Sequence, residues 1–356
     1  MKGLILAGGH GTRLRPLTFT GNKHMLPIAN KPMLFYSLDH LSKAGIKEIG
    51  IVLGPIKEGV RESVGNGANF GVKITYIDQP EPKGLAHAVL TAEDFLKGEP
   101  FVMYLGDNLL KQGVRPLINN FFNYSSDCVI CVAKVKNPIQ YGIVELDSKG
   151  KVIKLVEKPK VSTSNLALAG AYLFNDSIFE AAKKIKPSWR NELEITDAIQ
   201  HLVEEGKKIS VQFIDGWWKD TGKPDDLLEA NQLVLDDMQS ISEGVVDPSC
   251  YVSGKVTVGK NTIIKPSTRI KGPVIIGQNC EIGPAAYIGP YTSIGDHVQI
   301  LSGEVEGSII MNHVIIDCRK RIIDSIIGKH TRIESADKLP SSGLRFVVGE
   351  NTLCQI

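Results

Sequence analysis

The residues best suited to chemistry gather at the start of the chain. Gly8, Gly9 and Gly11 fall within four residues, Arg13 and Arg15 follow, and Lys23 sits ten positions past Arg13. Glycines at that density let the backbone take positive φ and let a ligand approach its N–H groups. Amide donors edged by guanidinium and ammonium groups suit the phosphates of a nucleoside triphosphate. The dinucleotide fingerprint G-x-G-x-x-G does not fit, and G-x-x-x-x-G-K-[ST] is absent.

Two acids come next. The run FVMYLGDN carries Asp107 just past an apolar stretch. It reads either as a turn aspartate or as a ligand for Mg²⁺, which on phosphates takes one or two protein carboxylates and keeps water. Asp220 follows Trp217 and Trp218 and precedes Gly222. It is a second candidate for a metal rim, and the tryptophan pair reads as packing or as a sugar-stacking surface. The phrases QYGIVE (140–145), EKP (157–159) and ELEITD (192–197) are polar punctuation, and Glu157-Lys158-Pro159 alone reads as a solvated turn.

Elements must position these groups. Strand-like runs recur at Leu4–Ala7, Ile49–Leu53, Val72–Ile77 and Phe101–Leu105, separated by helical patterns from Pro32 to before Gly45 and from Leu85 to Lys97. That alternation predicts an α/β fold, a Rossmann-like, mostly parallel sheet flanked by helices. Ligands then lie beyond the carboxyl ends of the strands, where Asp107 falls. Further strands are expected at 142–146, 153–156, 169–174 and 210–213. Helices are expected from Asp176, over 194–205 and over 224–239.

From Val246 the period changes. Val246, Val252, Val258, Ile264, Ile270, Ile276, Ile282, Ile288, Ile294 and Ile300 are spaced by six without a miss. Hexapeptide repeats predict a parallel β-helix whose coils stack because one coil cannot bury its inner face alone. The register breaks after Ile300, which predicts a loop or a change of structure, and partial returns fall at Ile327-Gly328, Ile333 and Val348-Gly349. The domains are then 1–239 and 240–356.

Composition sets limits. A chain of 356 residues with 42% hydrophobic and 22% charged residues is a globular profile. A net charge of +2 implies no bulk attraction to nucleic acid or an anionic membrane. No apolar run approaches the roughly 20 residues that span a bilayer. The N-terminus shows no signal-segment pattern. Of the six cysteines, Cys128 and Cys131 form a C-x-x-C inside an apolar run without a second pair, so these two read as reduced core cysteines of a cytoplasmic protein.

Taken together, GGHGTRLRPLT, KHMLPIANKPM, QPEPKGLAHA, LGDNL, YGIVE, EKP, NELEITD and WKDTG resemble the sugar-nucleotide pyrophosphorylases, or sugar-1-phosphate nucleotidyltransferases, over residues 1 to about 239. Within that family the chain is most similar to the long-form glucose-1-phosphate thymidylyltransferases, which carry a C-terminal left-handed β-helix. The resemblance implies dTTP (or UTP) and glucose 1-phosphate as substrates, Mg²⁺ as cofactor and a place in dTDP-sugar and polysaccharide biosynthesis. It implies Leu6, Ala7, Gly8, Gly9, Gly11 and Thr12 against the nucleotide, Gln79 and Gly84 on the pyrimidine, and Arg13 and Lys23 at the reacting phosphates. Asp107 and Asp220 would hold the metal, with Asp107 also facing the nucleotide. Tyr141, Gly142, Glu157, Lys158 and Gly170 would line the sugar-phosphate pocket. Against the family pattern, His10 occupies a variable position of the loop and His87 stands where a smaller or amide side chain would fit.

The chemistry asks for these types. A sugar-phosphate oxygen, already ionised at neutral pH, attacks the α-phosphorus, so positioning and charge stabilisation matter more than a general base. Two alternatives stand beside it. One is acyl transfer in the β-helix, with His297, His313 or His330 as base. The other is a non-catalytic scaffold, which would be expected to lose the cations or acids retained here. The repeat domain is expected to serve homo-oligomer assembly or support. Thymine against uracil, a single methyl, and the choice of hexose are not legible in the sequence.

Overall fold

The computed structural model describes residues 1–57, 59–335 and 351–354. The chain divides into two compact units that interleave along the sequence. The first comprises residues 1–11, 21–25 and 33–220; the second comprises 12–20, 26–32 and 221–356. These units do not follow a boundary at 239/240. The helix Pro224–Asp236 and two short amino-terminal pieces group with the carboxyl-terminal part.

The first unit is built on a nine-stranded sheet. The strand Lys2–Ala7 pairs in parallel with Glu48–Leu53 on one side and Phe101–Leu105 on the other, and Lys73–Asp78 continues the parallel part. Both faces of this strand are covered. Leu4 and Leu6 enter one core cluster, while Ile5 and Ala7 enter the other. A strand buried on both faces reads as a continuous apolar run, which is why LILA is so plain. The sheet then becomes mixed. Leu166–Phe174 runs antiparallel to Phe101–Leu105 and Cys128–Lys134, and the hairpin Gly142–Leu146 with Val152–Glu157 adds to it antiparallel.

Helices Met33–Lys43, Ser177–Lys184 and Ile195–Glu204 lie close to expectation. The helix expected over 85–97 divides at Ala92 into Leu85–Thr91 and Glu93–Leu96. Arg115–Tyr124, which opens on Pro116 in its first turn, is a helix the apolar pattern did not announce. All six cysteines are free. Cys128, Cys131, Cys280 and Cys318 are buried, and burial pushes the Cys131 thiol up to about 12. Cys250 is half-buried and Cys354 is exposed. Among the described residues no helix is long and apolar enough to cross a membrane.

In the second unit short parallel strands stack in ladders. The earlier ones pair with the strand eighteen positions on: Val246 opposite Ile264, then Ile282, then Ile300. From Val258 on the six-residue series is buried, with Ile264, Ile270, Ile276, Ile282, Ile288, Ile294 and Ile300 all at most 1% exposed, whereas Val252, in the first coil, is 43% exposed and departs from the inward pattern. The ladder does not stop after Ile300. Gln299–Glu306 continues it, and Ile315–Ile323 pairs with that strand. The buried series becomes Val305, Ile310 and Ile316, so two spacings shrink from six to five. That shortening hid the continuation from a period of six. Ile327 and Ile333 pair with Ile310 and Ile316. The return expected at Val348-Gly349 lies outside the described residues.

Candidate active site

The glycine loop follows the first strand. Only Gly11 takes positive φ, at 64°. Gly8 and Gly9 are needed for a different reason, which is space. A Cβ on Gly8 would lie 3.1 Å from Oε1 of Gln79 and 3.3 Å from the Gly54 nitrogen; one on Gly9 would lie 3.2 Å from Cε of Lys23. The strand's end at Leu6 and Ala7 is thereby bordered by Gln79 and Lys23. Lys23 sits on a short 3₁₀ turn, Lys23–Met25, held by its neighbours. Asn22 donates to the Ala7 carbonyl at 3.1 Å and to Ile56 at 2.7 Å, and its oxygen accepts from the His24 backbone at 2.9 Å. His24 is buried against the position where Gly106 lacks a side chain.

The two acids meet at Asn108. Trp218–Asp220 is a short strand antiparallel to Asn108–Leu110, with Asp220 opposite Asn108. Nδ2 of Asn108 donates to Oδ1 of Asp107 at 3.0 Å and to Oδ1 of Asp220 at 3.4 Å. Its Oδ1 accepts from the Gly170 N–H at 3.2 Å and from Trp218 Nε1 at 2.6 Å. Those two donors fix which end of the amide faces the carboxylates. Lys23 forms an ion pair with Asp107. Burial alone would raise the Asp107 carboxyl, but Lys23, His24 and the bond from Asn108 outweigh it and hold the group well below the ordinary carboxylate range. Among the described residues no group of three or more His, Cys, Asp or Glu forms a metal cluster. Two carboxylates on one amide nonetheless fit the oxygen-only, part-hydrated donor set of Mg²⁺ on phosphates.

The residues expected at a sugar phosphate also come together. Gly142 and Glu157 are paired partners at the ends of the hairpin strands, and the Lys158 N–H donates to the Tyr141 carbonyl at 3.1 Å. Lys158 takes a left-handed φ of 41°. A Cβ on Gly142 would fall 3.0 Å from Oε2 of Glu157. Glu157 accepts from Thr196 Oγ1 at 3.1 Å and lies 3.5 Å from the Arg190 guanidinium. Burial and the nearby Glu194 raise its carboxyl, against the pull of Lys158 and Arg190. Glu194 itself accepts from Ser188 Oγ at 2.8 Å. Tyr141 packs edge-on to Trp218 at 5.4 Å between ring centroids, so the second tryptophan of the pair touches Asn108 by its N–H and Tyr141 by its ring. Asn108 occupies the space that a side chain on Gly170 would take. Gly84 takes φ of 104°, and a Cβ there would strike the Leu193 carbonyl at 2.4 Å.

Asn22, His24, Asn108, Arg190, Glu194 and Thr196 were not singled out in the sequence. Asn108 lies within the phrase LGDN and Glu194 and Thr196 within NELEITD, while Arg190 lies just before it.

Arg13 and Thr12 belong to the second unit, on the 3₁₀ turn Thr12–Leu14. There the Arg13 guanidinium occupies the space beside Gly222, 2.9 Å from where a Cβ would stand. The candidate acyl-transfer histidines stack ring on ring. His297 and His313 are 4.8 Å apart and His313 and His330 are 4.8 Å apart, all at exposed turns with positive φ. That column is a turn ladder, continuing Asn261 and Asn279.

Residues 2–237 match the family described as nucleotidyl transferase. The chain belongs to the nucleotidyl transferase family. Residues 270–354 match a GMPPB C-terminal domain. Among curated proteins, the chain is 50% identical over 353 residues to the low-salt glycan biosynthesis nucleotidyltransferase Agl11 of Haloferax volcanii, covering 99% of each chain. It is 45% identical to a glucose-1-phosphate thymidylyltransferase of Streptomyces antibioticus, covering 100% of this chain and 99% of the other. Among solved structures it resembles a UDP-glucose pyrophosphorylase complexed with UDP-glucose, with a TM-score of 0.61 and 29% identity over 67% of this chain and 99% of that one. In this nucleotidyl transferase the family match spans the glycine loop, Asn108 and the hairpin of Gly142–Leu146 with Val152–Glu157.

Proposed function

We propose that this nucleotidyltransferase joins dTTP to glucose 1-phosphate, releasing pyrophosphate and forming dTDP-glucose, with Mg²⁺ held by Asp107 and Asp220. Sugar-1-phosphate nucleotidyl transfer is the activity the family and its relatives support. The single observation that carries the reading is Asn108 bonding both carboxylates while Lys23 pairs with one of them.

In this reading an oxygen of the sugar phosphate forms a bond to the α-phosphorus. The bond from that phosphorus to the bridging oxygen breaks, and pyrophosphate leaves with the electron pair. Bound Mg²⁺ supplies charge neutralisation on the triphosphate. Lys23 guides and neutralises the attacking side, Arg13 stabilises the α-phosphate and the leaving group, and Lys158 holds the sugar phosphate as a point charge. Glu157 receives sugar hydroxyls, with Tyr141 and Gly142 forming the wall. Leu6 to Gly11 and Thr12 carry the nucleotide, and Gln79 and Gly84 meet its base.

The second unit is read as a left-handed β-helix serving homo-oligomer assembly. The support is the eighteen-residue register of its parallel strands. A cytoplasmic enzyme without nucleic-acid or membrane partners completes the reading. UTP is the alternative nucleotide, because one methyl separates it from dTTP at the base. Pyrophosphate release across a panel of triphosphates and hexose 1-phosphates tests the assignment. Turnover confined to another pairing overturns the substrate choice, and no turnover with any pair overturns the reaction.

A further inference from the structure

We propose that His87 sets the base preference of this site by fixing which way the Gln79 amide faces. The inference rests on the reading above in which Gln79 meets the nucleotide base.

Gln79 follows the strand Lys73–Asp78, and His87 stands near the start of the helix Leu85–Thr91. Nε2 of Gln79 lies 2.7 Å from Nδ1 of His87. An amide nitrogen has only hydrogens to offer, so Nδ1 accepts and the ring proton sits on Nε2 of the imidazole. Burial, then the Lys83 ammonium, lowers the basicity of the ring against the opposing pull of Glu81. The neutral acceptor form is therefore the one present at neutral pH. With the nitrogen end of the amide turned to His87, the oxygen end faces the glycine loop. A Cβ on Gly8 would meet that oxygen at 3.1 Å. Gln79 is 4% exposed, so its polar ends are not free to exchange partners through bulk water.

The consequence is a choice among pyrimidines. Thymine and uracil carry an N3–H donor between two carbonyls, which an amide oxygen accepts. Cytosine carries a lone pair at N3 and would set acceptor against acceptor. His87 thus excludes cytosine without separating thymine from uracil. Once the imidazole acceptor is removed, the amide can turn its nitrogen to the base, and the penalty against cytosine falls.

The test is steady-state pyrophosphate release with dTTP (or UTP, if that is the nucleotide turned over) against CTP, at fixed glucose 1-phosphate. It compares the unaltered protein with His87→Leu, His87→Asn and Gln79→Ala. His87→Leu is expected to raise the KM for dTTP about tenfold and to shrink the dTTP-to-CTP ratio of kcat/KM at least as much. The kcat at saturating dTTP and the KM for glucose 1-phosphate should stay within about twofold. His87→Asn, whose amide oxygen can take the place of Nδ1, is expected to restore the ratio. If Gln79→Ala loses discrimination while His87→Leu keeps it, or if His87→Asn fails to restore it, the role of His87 is overturned and the base-reading role of Gln79 stands. If Gln79→Ala keeps discrimination, both fall together.

Discussion

The Cβ that Gly170 lacks would lie 2.4 Å from Cγ of Asn108. A strand interior is a costly place for glycine, and here the gap is filled by the amide that holds both acids. Gly170→Ala is expected to push Asn108 off its partners and lower turnover at least about tenfold. Pyrophosphate release measures it. Near-normal turnover from a well-folded variant would mean that Asn108 does not need this seat.

Asp107→Asn removes one charge while keeping the shape. It is expected to lower turnover at least about a hundredfold, and Arg13→Ala likewise, with unchanged folding by circular dichroism. A rate near that of the unaltered protein would take either residue off the catalytic list.

His24 gives the fold a pH dependence. Its ring is 1% exposed and lies 2.6 Å from Asn22 Oδ1. Burial, then Lys23, depresses it to about 3 against the pull of Asp107. The unfolded chain takes up the proton near 6.5, and the folded chain does not until about 3. The stability tied to His24 is therefore complete above pH 6.5, falls as pH drops from 6.5 towards 3, and levels off below that. The slope approaches about 1.4 kcal/mol per pH unit. Urea unfolding at pH 7.5, 6.0 and 5.0 should show this fall, and His24→Asn should flatten it. Parallel curves for the two proteins would refute the assignment.

Asn231 is fully buried in the second unit. Its oxygen accepts from the Ala29 N–H at 2.9 Å and its nitrogen donates to the Tyr291 carbonyl at 3.0 Å. Asn231→Ala strands both backbone groups and is expected to destabilise the protein by at least about 2 kcal/mol. A melting temperature within a degree of the parent would show that water takes over those bonds.

What could be read from the chain divides along physical lines. Leu4–Ala7 was plain because burial on both faces leaves an unbroken apolar run. Asp107 was reachable because strand ends in α/β sheets carry sites. The role of Gly8 and Gly9 was not, since it depends on Gln79 and Lys23 rather than on backbone freedom. The strand Trp218–Asp220 is three residues long, too short for any period to declare. The ladder beyond Ile300 escaped because two spacings of five replace six while the inner residues stay apolar. Arg190 and Glu194 required knowing that their loop lies against Glu157.

The hairpin of Pro27–Ile28 with Lys31–Pro32 belongs to the second unit, and Asn30 donates to the Ile294 carbonyl, 264 positions away, at 2.6 Å. During translation that partner emerges only after most of the message has been read, on the order of tens of seconds later. A premature stop anywhere before residue 294 leaves this hairpin without its bond to that carbonyl, so shortened products should be nicked by proteases near their own amino terminus.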